Sequence, residues 1–314
     1  MKYRKLGTTD LDVSIVGLGT WAMGDDYWGP VDDTESIRAV REAVDKGINL
    51  IDTAPAYGGG HSEEILGKAV EGRRSEVILA TKVGTIRLPD GYRRDLSPAI
   101  IVKQLEDSLR YLKTDVIDLY QIHWPDPDTP IEESLEALDN LRRQGKFRYL
   151  GVSNFEIPLL EKALELTDIV SHQPRYSLLQ RDIEEDLLPF CKRHNLGTLG
   201  YGSLAGGILT GKFEEIPELS EGDNRKHFYP FFQEPEWSRV QKLVDVLRDI
   251  GRERNKPTAQ VAINWANRDA GVTCALVGAK RPDQAGANAA SAEWDLTEEE
   301  VRRIEEAHRK FLSV

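Results

Sequence analysis

The sequence predicts a single (β/α)8 barrel, or TIM barrel, as one domain spanning residues 1–314. Eight short apolar runs with the character of buried strands recur along the chain, and runs with helical spacing of apolar residues lie between them. Strands that alternate with helices form parallel units with right-handed crossovers. Eight such units close a barrel, and no shift in composition marks a second domain.

The strand assignments rest on short runs rich in β-branched and other apolar residues, which suit strands buried on both faces. In chain order, the strands are expected at residues 15–18, 50–53, 77–83, 116–123, 149–153, 169–173, 198–202 and 274–278.

Helices are expected where apolar residues recur every three or four positions. In residues 98–112, for example, Ile101, Leu105, Leu109 and Leu112 fall on one face. The same reasoning places helices at residues 34–45, 63–70, 98–112, 131–143, 156–166, 184–194, 257–267 and 281–289.

Four segments lie outside the repeating pattern. Residues 2–14 are predicted as an N-terminal hairpin, 236–254 as an extra helix and 298–311 as an amphipathic C-terminal helix. Residues 214–235 form a long polar insertion with an aromatic run after the seventh strand. A loop of that length in a compact domain is usually functional or disordered.

A doubly wound sheet is the alternative fold. Its support is the glycine pattern between Gly17 and Gly24, which approaches a dinucleotide-binding fingerprint. The third glycine is misplaced for G-x-G-x-x-G, and no acidic residue follows a second strand at the expected distance. The barrel is therefore preferred.

The charge balance argues against nucleic acid or an anionic membrane surface as a partner. Lys and Arg total 41 and Asp and Glu total 53, which gives a formal net charge of −12. The two cysteines and six histidines show no metal-ligand spacing, and no apolar stretch is long enough to span a membrane. We therefore expect a cytoplasmic protein without a metal site, either a monomer or a weak homo-oligomer.

Ionisable residues stand where three neighbouring strands are predicted to end. Asp52 ends the second strand, with Tyr57 just past a turn at Pro55, while Lys82 ends the third strand and His123 the fourth. The active site of such a barrel lies at the carboxyl ends of its strands. Ionisable groups at the ends of apolar runs are costly to bury unless they pair.

Together, these four side chains suit chemistry at a carbonyl group. Asp52 can neutralise Lys82, and the paired lysine favours a phenolate, which would lower the pKa of Tyr57. Tyr57 can then act as a general acid toward an oxygen that a neutral His123 orients. Taken singly, each residue has an ordinary interpretation as a solvated lysine, a structural histidine, a capping aspartate or a packing tyrosine. The chemical interpretation depends on their meeting at one place.

Motif-like stretches surround these positions and extend over nearly the whole chain. They are Asp52-Thr53-Ala54, Tyr57-Gly58, Ser62-Glu63, Leu66-Gly67, Thr81-Lys82, His123-Trp124-Pro125-Asp126, Gly145-Lys146, Arg148, Gly151-Val152-Ser153-Asn154-Phe155, Gln173-Pro174, Gly206-Gly207, Leu209-Thr210-Gly211-Lys212 and Gly278-Ala279-Lys280. With these stretches the chain resembles the aldo-keto reductases, and most closely the branch with bacterial stress-response reductases and potassium-channel β subunits. The resemblance implies the barrel fold, NADPH bound across the barrel mouth, hydride transfer to aldehydes or ketones, and catalysis by the four residues above.

Side-chain chemistry extends this resemblance to the cofactor contacts. Ser153, Asn154 and Gln173 offer donors and acceptors to a carboxamide, and Tyr201 offers a flat face to the nicotinamide ring. The glycine-rich segment 202–207 lets backbone approach a pyrophosphate, with a plain loop as the alternative. The predicted cofactor-binding set is Gly19, Thr20, Trp21, Asp52, Ser153, Asn154, Gln173, Tyr201, Gly202, Ser203, Leu204, Gly206, Gly211, Lys212, Gly278, Lys280, Arg281, Gln284 and Asn288.

Lys280 and Arg281 are expected to select NADPH. Two cations at the start of a helix oppose its macrodipole unless an anion lies there, which favours the 2′-phosphate; a solvated basic turn is the alternative. Gln284 and Asn288 share one helix face and can reach the adenine.

The substrate pocket is expected to be lined by Trp21, Tyr57, His123 and Trp124, with the aromatic run 228–232 closing over it. Ordinary packing is the alternative interpretation of these aromatic residues.

Three functions remain compatible with the sequence. The preferred one is NADPH-dependent reduction of a small aldehyde or ketone, with Tyr57 as the general acid. A cofactor-sensing subunit with little turnover would keep the same residues, and a cofactor-free barrel could use the pocket for isomerisation or hydrolysis. The substrate depends on loop shape, which the sequence alone does not specify.

Overall fold

A computed structural model describes residues 1–24, 28–88, 91–219, 223 and 225–312. Eight parallel strands close into a barrel in the order β3-β4-β5-β8-β9-β10-β11-β12, as the sequence predicts. The alternative prediction of an open doubly wound sheet is wrong. The strands are β1 Tyr3–Lys5, β2 Asp12–Ser14, β3 Val16–Gly19, β4 Leu50–Asp52, β5 Ile78–Val83, β6 Thr85–Leu88, β7 Gly91–Arg94, β8 Ile117–Ile122, β9 Phe147–Ser153, β10 Ile169–Gln173, β11 Gly197–Gly200 and β12 Cys274–Gly278.

A helix follows each barrel strand, and local signals set several helix starts. The Asp32 side chain accepts from the backbone N–H groups of Thr34 and Glu35, and Thr297 forms a capping box with Glu300. Within the part of the chain that the structure describes, the α-helices are α1 Asp33–Asp45, α2 His61–Ala69, α3 Pro98–Leu112, α4 Ile131–Arg143, α5 Ile157–Leu166, α6 Leu187–Arg193, α7 Arg225–Phe228, α8 Glu236–Arg254, α9 Thr258–Asn267, α10 Pro282–Ala289 and α11 Glu298–Phe311.

The predicted N-terminal hairpin is confirmed as the antiparallel pair β1–β2, and it closes the barrel end opposite Asp52 and Lys82. Leu6 is fully buried and packs in one apolar cluster with barrel residues such as Val170 and Leu199. Gly7 has a φ of +55°, and a Cβ there would lie 2.3 Å from the Val170 carbonyl oxygen. The hairpin therefore needs glycine where it contacts the barrel.

The two predicted extra helices, α8 and α11, pack against each other beside the barrel. Leu247 and Ile304 are fully buried in their shared apolar cluster. Arg254 Nε lies 2.5 Å from Glu300 Oε1 at the edge of this contact. None of the helices within the described ranges is both long and apolar enough to cross a membrane.

The predicted helix 184–194 begins later than expected, at Leu187. Asp186 accepts a hydrogen bond from the Leu187 N–H and so caps the helix there. The Glu184 carboxylate is held outside the helix by Arg181, at 2.7 Å, and by the Tyr176 hydroxyl, at 2.6 Å. Arg181, which has no role in the sequence analysis, is therefore structural.

The hairpin β6–β7, which follows β5, was not predicted. Its signal was present in the sequence, because Pro89-Asp90-Gly91 between two short runs is typical of a turn. The predicted loop 214–235 contains α7, whereas residues 220–222 and 224 of that loop lie outside the described residues.

A carboxyl group is buried directly behind the site, between α2 and β5. Glu63 is fully buried and accepts a hydrogen bond from Thr81 Oγ1 at 2.6 Å. Burial raises the pKa of Glu63 to about 7, against the opposing effects of the Thr81 bond and the Lys82 charge. The carboxyl group is therefore largely protonated in the folded protein below neutral pH.

Replacing Glu63 with Gln should make stability less sensitive to pH. Between pH 4.5 and 7 the unfolded chain releases a proton that the folded protein keeps, so wild-type stability falls as pH rises through this window. At about 1.4 kcal/mol per pH unit, the free energy of unfolding of E63Q should rise by roughly 3 kcal/mol relative to that of wild type between pH 4.5 and 8. Urea unfolding across this range measures the gain, with the exposed Glu136→Gln as control, and parallel wild-type and E63Q curves would contradict it.

Candidate active site

Lys82, at the end of β5, lies at the centre of the site and is 1% exposed. Its Nζ donates to Asp52 Oδ1 at 2.5 Å, to the Thr53 carbonyl oxygen at 2.9 Å and to Tyr57 Oη at 3.2 Å. An ammonium group has three N–H donors, and each of them has an acceptor here. This complete set of partners makes a buried cation tolerable.

Asp52, at the end of β4, is the counter-ion of Lys82 and is itself 3% exposed. Its second oxygen, Oδ2, accepts from Gln121 Nε2 at 3.1 Å and from Gln173 Nε2 at 2.9 Å. The sequence analysis missed Gln121, although an amide inside the apolar run of β8 is a readable signal. The site therefore joins side chains from β4, β5, β8 and β10.

The turn after β4 brings Tyr57 to this ion pair. The Tyr57 N–H bonds to the Ala54 carbonyl oxygen at 3.0 Å, which tightens the turn. Gly58 has a φ of +66°, and a Cβ there would lie 2.1 Å from the Gly24 carbonyl oxygen, so only glycine fits. A hydrogen bond from the Lys82 ammonium stabilises negative charge on the phenol oxygen.

His123 follows β8 and faces Tyr57. The two ring centroids are 5.8 Å apart, with an interplanar angle of 86°. Burial holds the pKa of His123 well below its ordinary value, and the charges of Lys82 and Arg94 lower it further. The ring is therefore neutral at pH 7, and its Nδ1 has no hydrogen-bond partner among the residues described.

Aromatic side chains line one side of the site. Trp21 stacks on Tyr57 with centroids 6.0 Å apart, and Phe228 approaches Trp21 to 4.9 Å. Of the aromatic run 228–232, Tyr229 and Phe232 are buried in the apolar core, so the expectation that the whole run closes over the pocket is wrong for these two.

Trp124 directly follows His123 in the chain. The Arg94 guanidinium, from the unpredicted hairpin, lies 4.7 Å from the Trp124 ring centroid.

The residues predicted to meet the nicotinamide lie together. Asn154, at a φ of +59°, donates through Nδ2 to the His123 carbonyl oxygen at 3.0 Å and accepts from Tyr201 Oη at 2.9 Å. Ser153 Oγ donates to the Gln173 carbonyl oxygen at 2.7 Å. Because the Gln173 amide nitrogen is bound to Asp52 and Gln121, its side chain offers a ligand chiefly the amide oxygen.

The glycine-rich segment after β11 is a shallow backbone cradle. Gly202, Gly206, Gly207 and Gly211 all have positive φ values. A Cβ on Gly206 would lie 2.8 Å from the Tyr229 ring, so a side chain there would collide with the core. Within this segment, Leu204 is half-buried and Ser203 is buried, with the Ser203 hydroxyl 3.3 Å from the Leu276 carbonyl oxygen.

The seam where β3 meets β12 forms the far edge of the cradle. Gly19 and Gly278 pair across this seam. Thr20 is buried and donates to the Asp52 carbonyl oxygen at 3.1 Å, which ties the seam to the ion pair.

Cations gather beyond the cradle. Burial lowers the pKa of Lys212, and the charges of Arg225 and Arg281 lower it further, against the opposing charge of Asp223. Arg225, in the long loop, pairs with Asp223 at 2.6 Å and was not predicted as a site residue. No signal in the sequence distinguished it from a solvated arginine.

The residues expected to read the 2′-phosphate and adenine have partners within the chain. Lys280 Nζ donates to the carbonyl oxygens of Trp28 and Gly29, and Arg281 pairs with Asp283 at 2.9 Å. The Gln284 and Asn288 side chains bond to backbone groups of Lys280 and Gly278.

The Aldo/keto reductase family model matches residues 15–309. The chain belongs to the aldo/keto reductase family. Aldo-keto reductase YhdN of Bacillus subtilis is 42% identical over 97% of the chain and 92% of the relative, and the NADH-specific methylglyoxal reductase of Escherichia coli is 31% identical over 98% of both.

Solved structures of other members share this fold. The glycerol dehydrogenase AKR11B4 from Gluconobacter oxydans, 38% identical, matches with a TM-score of 0.91 over 100% of this chain and 97% of that one. An aldo/keto reductase from Klebsiella pneumoniae in complex with NADP and acetate, 30% identical, matches at 0.77 over 98% and 95%. This aldo/keto reductase is therefore an oxidoreductase by family.

The residues present fit a nicotinamide dinucleotide. The positive φ values of Gly202, Gly206 and Gly207 leave the backbone of the cradle bare of side chains. An anion beside Lys212 would be favoured, because the charges of Arg225 and Arg281 act on that lysine. The Asn154 side chain bonds to both Ser153 Oγ and the Tyr201 hydroxyl, so polar groups and an aromatic ring meet at one place. An extended molecule with a flat amide at one end and phosphates along its length matches this order of groups.

Removing only one member of the buried ion pair should be costly. K82M leaves Asp52 as an uncompensated buried charge, so we expect a loss of about 3–5 kcal/mol in the free energy of unfolding. The double variant Asp52→Asn with Lys82→Met should recover much of that loss. Urea unfolding of the two single variants and the double variant measures the coupling. Additive single effects would show that the two charges do not pair in solution.

Proposed function

We propose that this aldo/keto reductase reduces small aldehydes or ketones to alcohols, with NADPH as its cofactor and Tyr57 as the general acid. The observation that carries the proposal is the hydrogen bond from the buried Lys82 ammonium to Tyr57 Oη, at 3.2 Å. A phenol that loses a proton beside a fixed cation forms a stabilised phenolate. The proposal also includes a single barrel domain over residues 1–314, a cytoplasmic location, and a monomer or weak homo-oligomer.

The proposed chemistry divides between four side chains. A reduced nicotinamide, when bound, supplies hydride to the carbonyl carbon. Tyr57 donates its proton to the carbonyl oxygen as negative charge develops there. Lys82 stabilises the phenolate that remains, and Asp52 keeps Lys82 in place. Neutral His123 orients the carbonyl oxygen without adding a competing positive charge.

The proposed cofactor site begins at Ser153, Asn154 and Tyr201, which together form the nicotinamide platform. It ends at the cations Lys212, Arg225 and Arg281. Ser153, Asn154 and Tyr201 would hold the nicotinamide, and the cradle 202–207 would lie against the diphosphate. Arg281 is proposed to read the 2′-phosphate of NADPH, because its pair with Asp283 is exposed and such pairs are weak. Relatives named for NADP and for NADH both occur, so this selectivity needs its own measurement.

The cofactor-sensing alternative keeps the same contacts and differs only in turnover. Binding of NADPH with negligible reduction of a panel of aldehydes would favour that alternative. A lack of nicotinamide binding would instead favour the cofactor-free barrel.

Replacing Tyr57 with Phe tests the acid. Y57F removes the proton donor and keeps the ring that stacks on Trp21, so kcat for an aldehyde should fall roughly 100- to 10,000-fold while NADPH affinity changes little. Single-turnover kinetics and a fluorescence titration separate the two effects. Near-wild-type turnover by Y57F would remove Tyr57 from this role.

Replacing Arg281 with Gln tests cofactor selection. NADPH affinity should fall roughly tenfold, about 1.4 kcal/mol, while NADH affinity stays unchanged because NADH lacks the 2′-phosphate. The exposed Arg239→Gln serves as the control. Tryptophan fluorescence titration with each nucleotide measures both constants, and equal changes for NADPH and NADH would contradict the assignment.

A further inference from the structure

Arg175 is a half-buried cation for which the described part of the chain supplies no acceptor. Its Nε is buried without a hydrogen-bond partner, and across the described ranges no residue accepts a hydrogen bond from its guanidinium or forms an ion pair with it. A guanidinium has five N–H donors, and a cation withdrawn from water is usually paired. The lack of a partner is notable in a chain with 53 acidic residues.

Arg181, six residues later, shows the ordinary arrangement. It bonds to the Glu184 carboxylate at 2.7 Å and to Glu305 at 2.6 Å, and its guanidinium also covers the Trp265 ring. These two arginines of one segment thus differ, because carboxylates neutralise Arg181, whereas none of the described residues neutralises Arg175.

Three aromatic rings surround the Arg175 guanidinium. Its Cζ lies 5.8 Å from the Tyr201 ring centroid, 5.0 Å from Phe228 and 6.0 Å from Tyr229. Aromatic faces attract the cation, but they do not accept hydrogen bonds in the plane of its N–H groups. Within that plane, a guanidinium can bind a phosphate or carboxylate through two parallel hydrogen bonds.

The position of Arg175 indicates which anion it meets. The residue pairs with Tyr201 through a β-bridge, and its Cγ would lie 3.6 Å from a Cβ on Gly202. It therefore lies where the proposed nicotinamide platform gives way to the glycine cradle. In an extended nicotinamide dinucleotide, the diphosphate follows the nicotinamide ribose at this point.

We propose that Arg175 binds the diphosphate of the nicotinamide cofactor. The inference rests on the proposed function only in requiring that the protein bind a nicotinamide dinucleotide. The guanidinium provides in-plane donors to the phosphate oxygens, and the rings of Tyr201, Phe228 and Tyr229 hold it in place. The anion supplies the hydrogen-bond partner that Arg175 lacks among the described residues.

The variants Arg175→Gln and Arg175→Lys test this role by direct titration with NADPH and NADH. Arg175→Gln should weaken both nucleotides by a similar factor, roughly 10- to 100-fold, because both contain the diphosphate. Arg175→Lys should recover part of the affinity by restoring the charge. The melting temperature of the ligand-free Arg175→Gln protein should stay at or above that of wild type, whereas the control Arg181→Gln should melt lower and bind both nucleotides normally.

Three results would overturn the proposal. A loss confined to NADPH would assign Arg175 to the 2′-phosphate. Unchanged affinity for both nucleotides, with a raised KM for 4-carboxybenzaldehyde but not for benzaldehyde, would assign it to a substrate anion. A lowered melting temperature with unchanged affinities would make it structural. Failure of the wild-type protein to bind either nucleotide is a separate result, which overturns the proposed function itself.

Discussion

The buried ion pair between Asp52 and Lys82 determines where the other parts of the site can lie. Two charges withdrawn from water are tolerable only when their hydrogen-bonding capacity is met. Besides its bond to Asp52, Lys82 donates hydrogen bonds to the Thr53 carbonyl oxygen and to Tyr57. Asp52 accepts further hydrogen bonds from Gln121 and Gln173. Asp52, Lys82 and Gln121 lie on the adjacent strands β4, β5 and β8. The curvature of the closed barrel brings Gln173 of β10 to the same carboxylate.

The distribution of charge matters more than its sum. The chain carries a net charge of −12, which disfavours a polyanionic partner such as nucleic acid. Within that acidic surface, the charges of Arg225 and Arg281 act on Lys212. Of the residues that the structure describes, no carboxylate pairs with Arg175. A small dianion can bind beside these cations despite the net negative charge of the chain, because the electrostatic field within a few ångströms is set by the nearest groups rather than by the whole protein.

The sequence predicted what depends on repeating patterns and missed what depends on single tertiary contacts. Helical and strand periodicity located the barrel elements to within a few residues, and strand ends located Asp52, Lys82 and His123. The register between distant strands was not readable, so Gln121 was missed although it bonds to Asp52. Tyr229 and Phe232 look like any loop aromatics until the fold buries them. Arg175 and Arg181 are indistinguishable as letters, because the difference lies in the carboxylates that folding brings to Arg181 and, within the described ranges, not to Arg175.

The three hydrogen bonds of Lys82 also bear on chemical durability. A primary amine forms an imine with an aldehyde only when its nitrogen has a lone pair to attack the carbonyl carbon. An ammonium that donates to Asp52, Thr53 and Tyr57 has no such pair, and at 1% exposure it has no room for a carbonyl carbon to approach. Under the proposed reduction of aldehydes, Lys82 would therefore stay within reach of Tyr57 without being inactivated by the substrate.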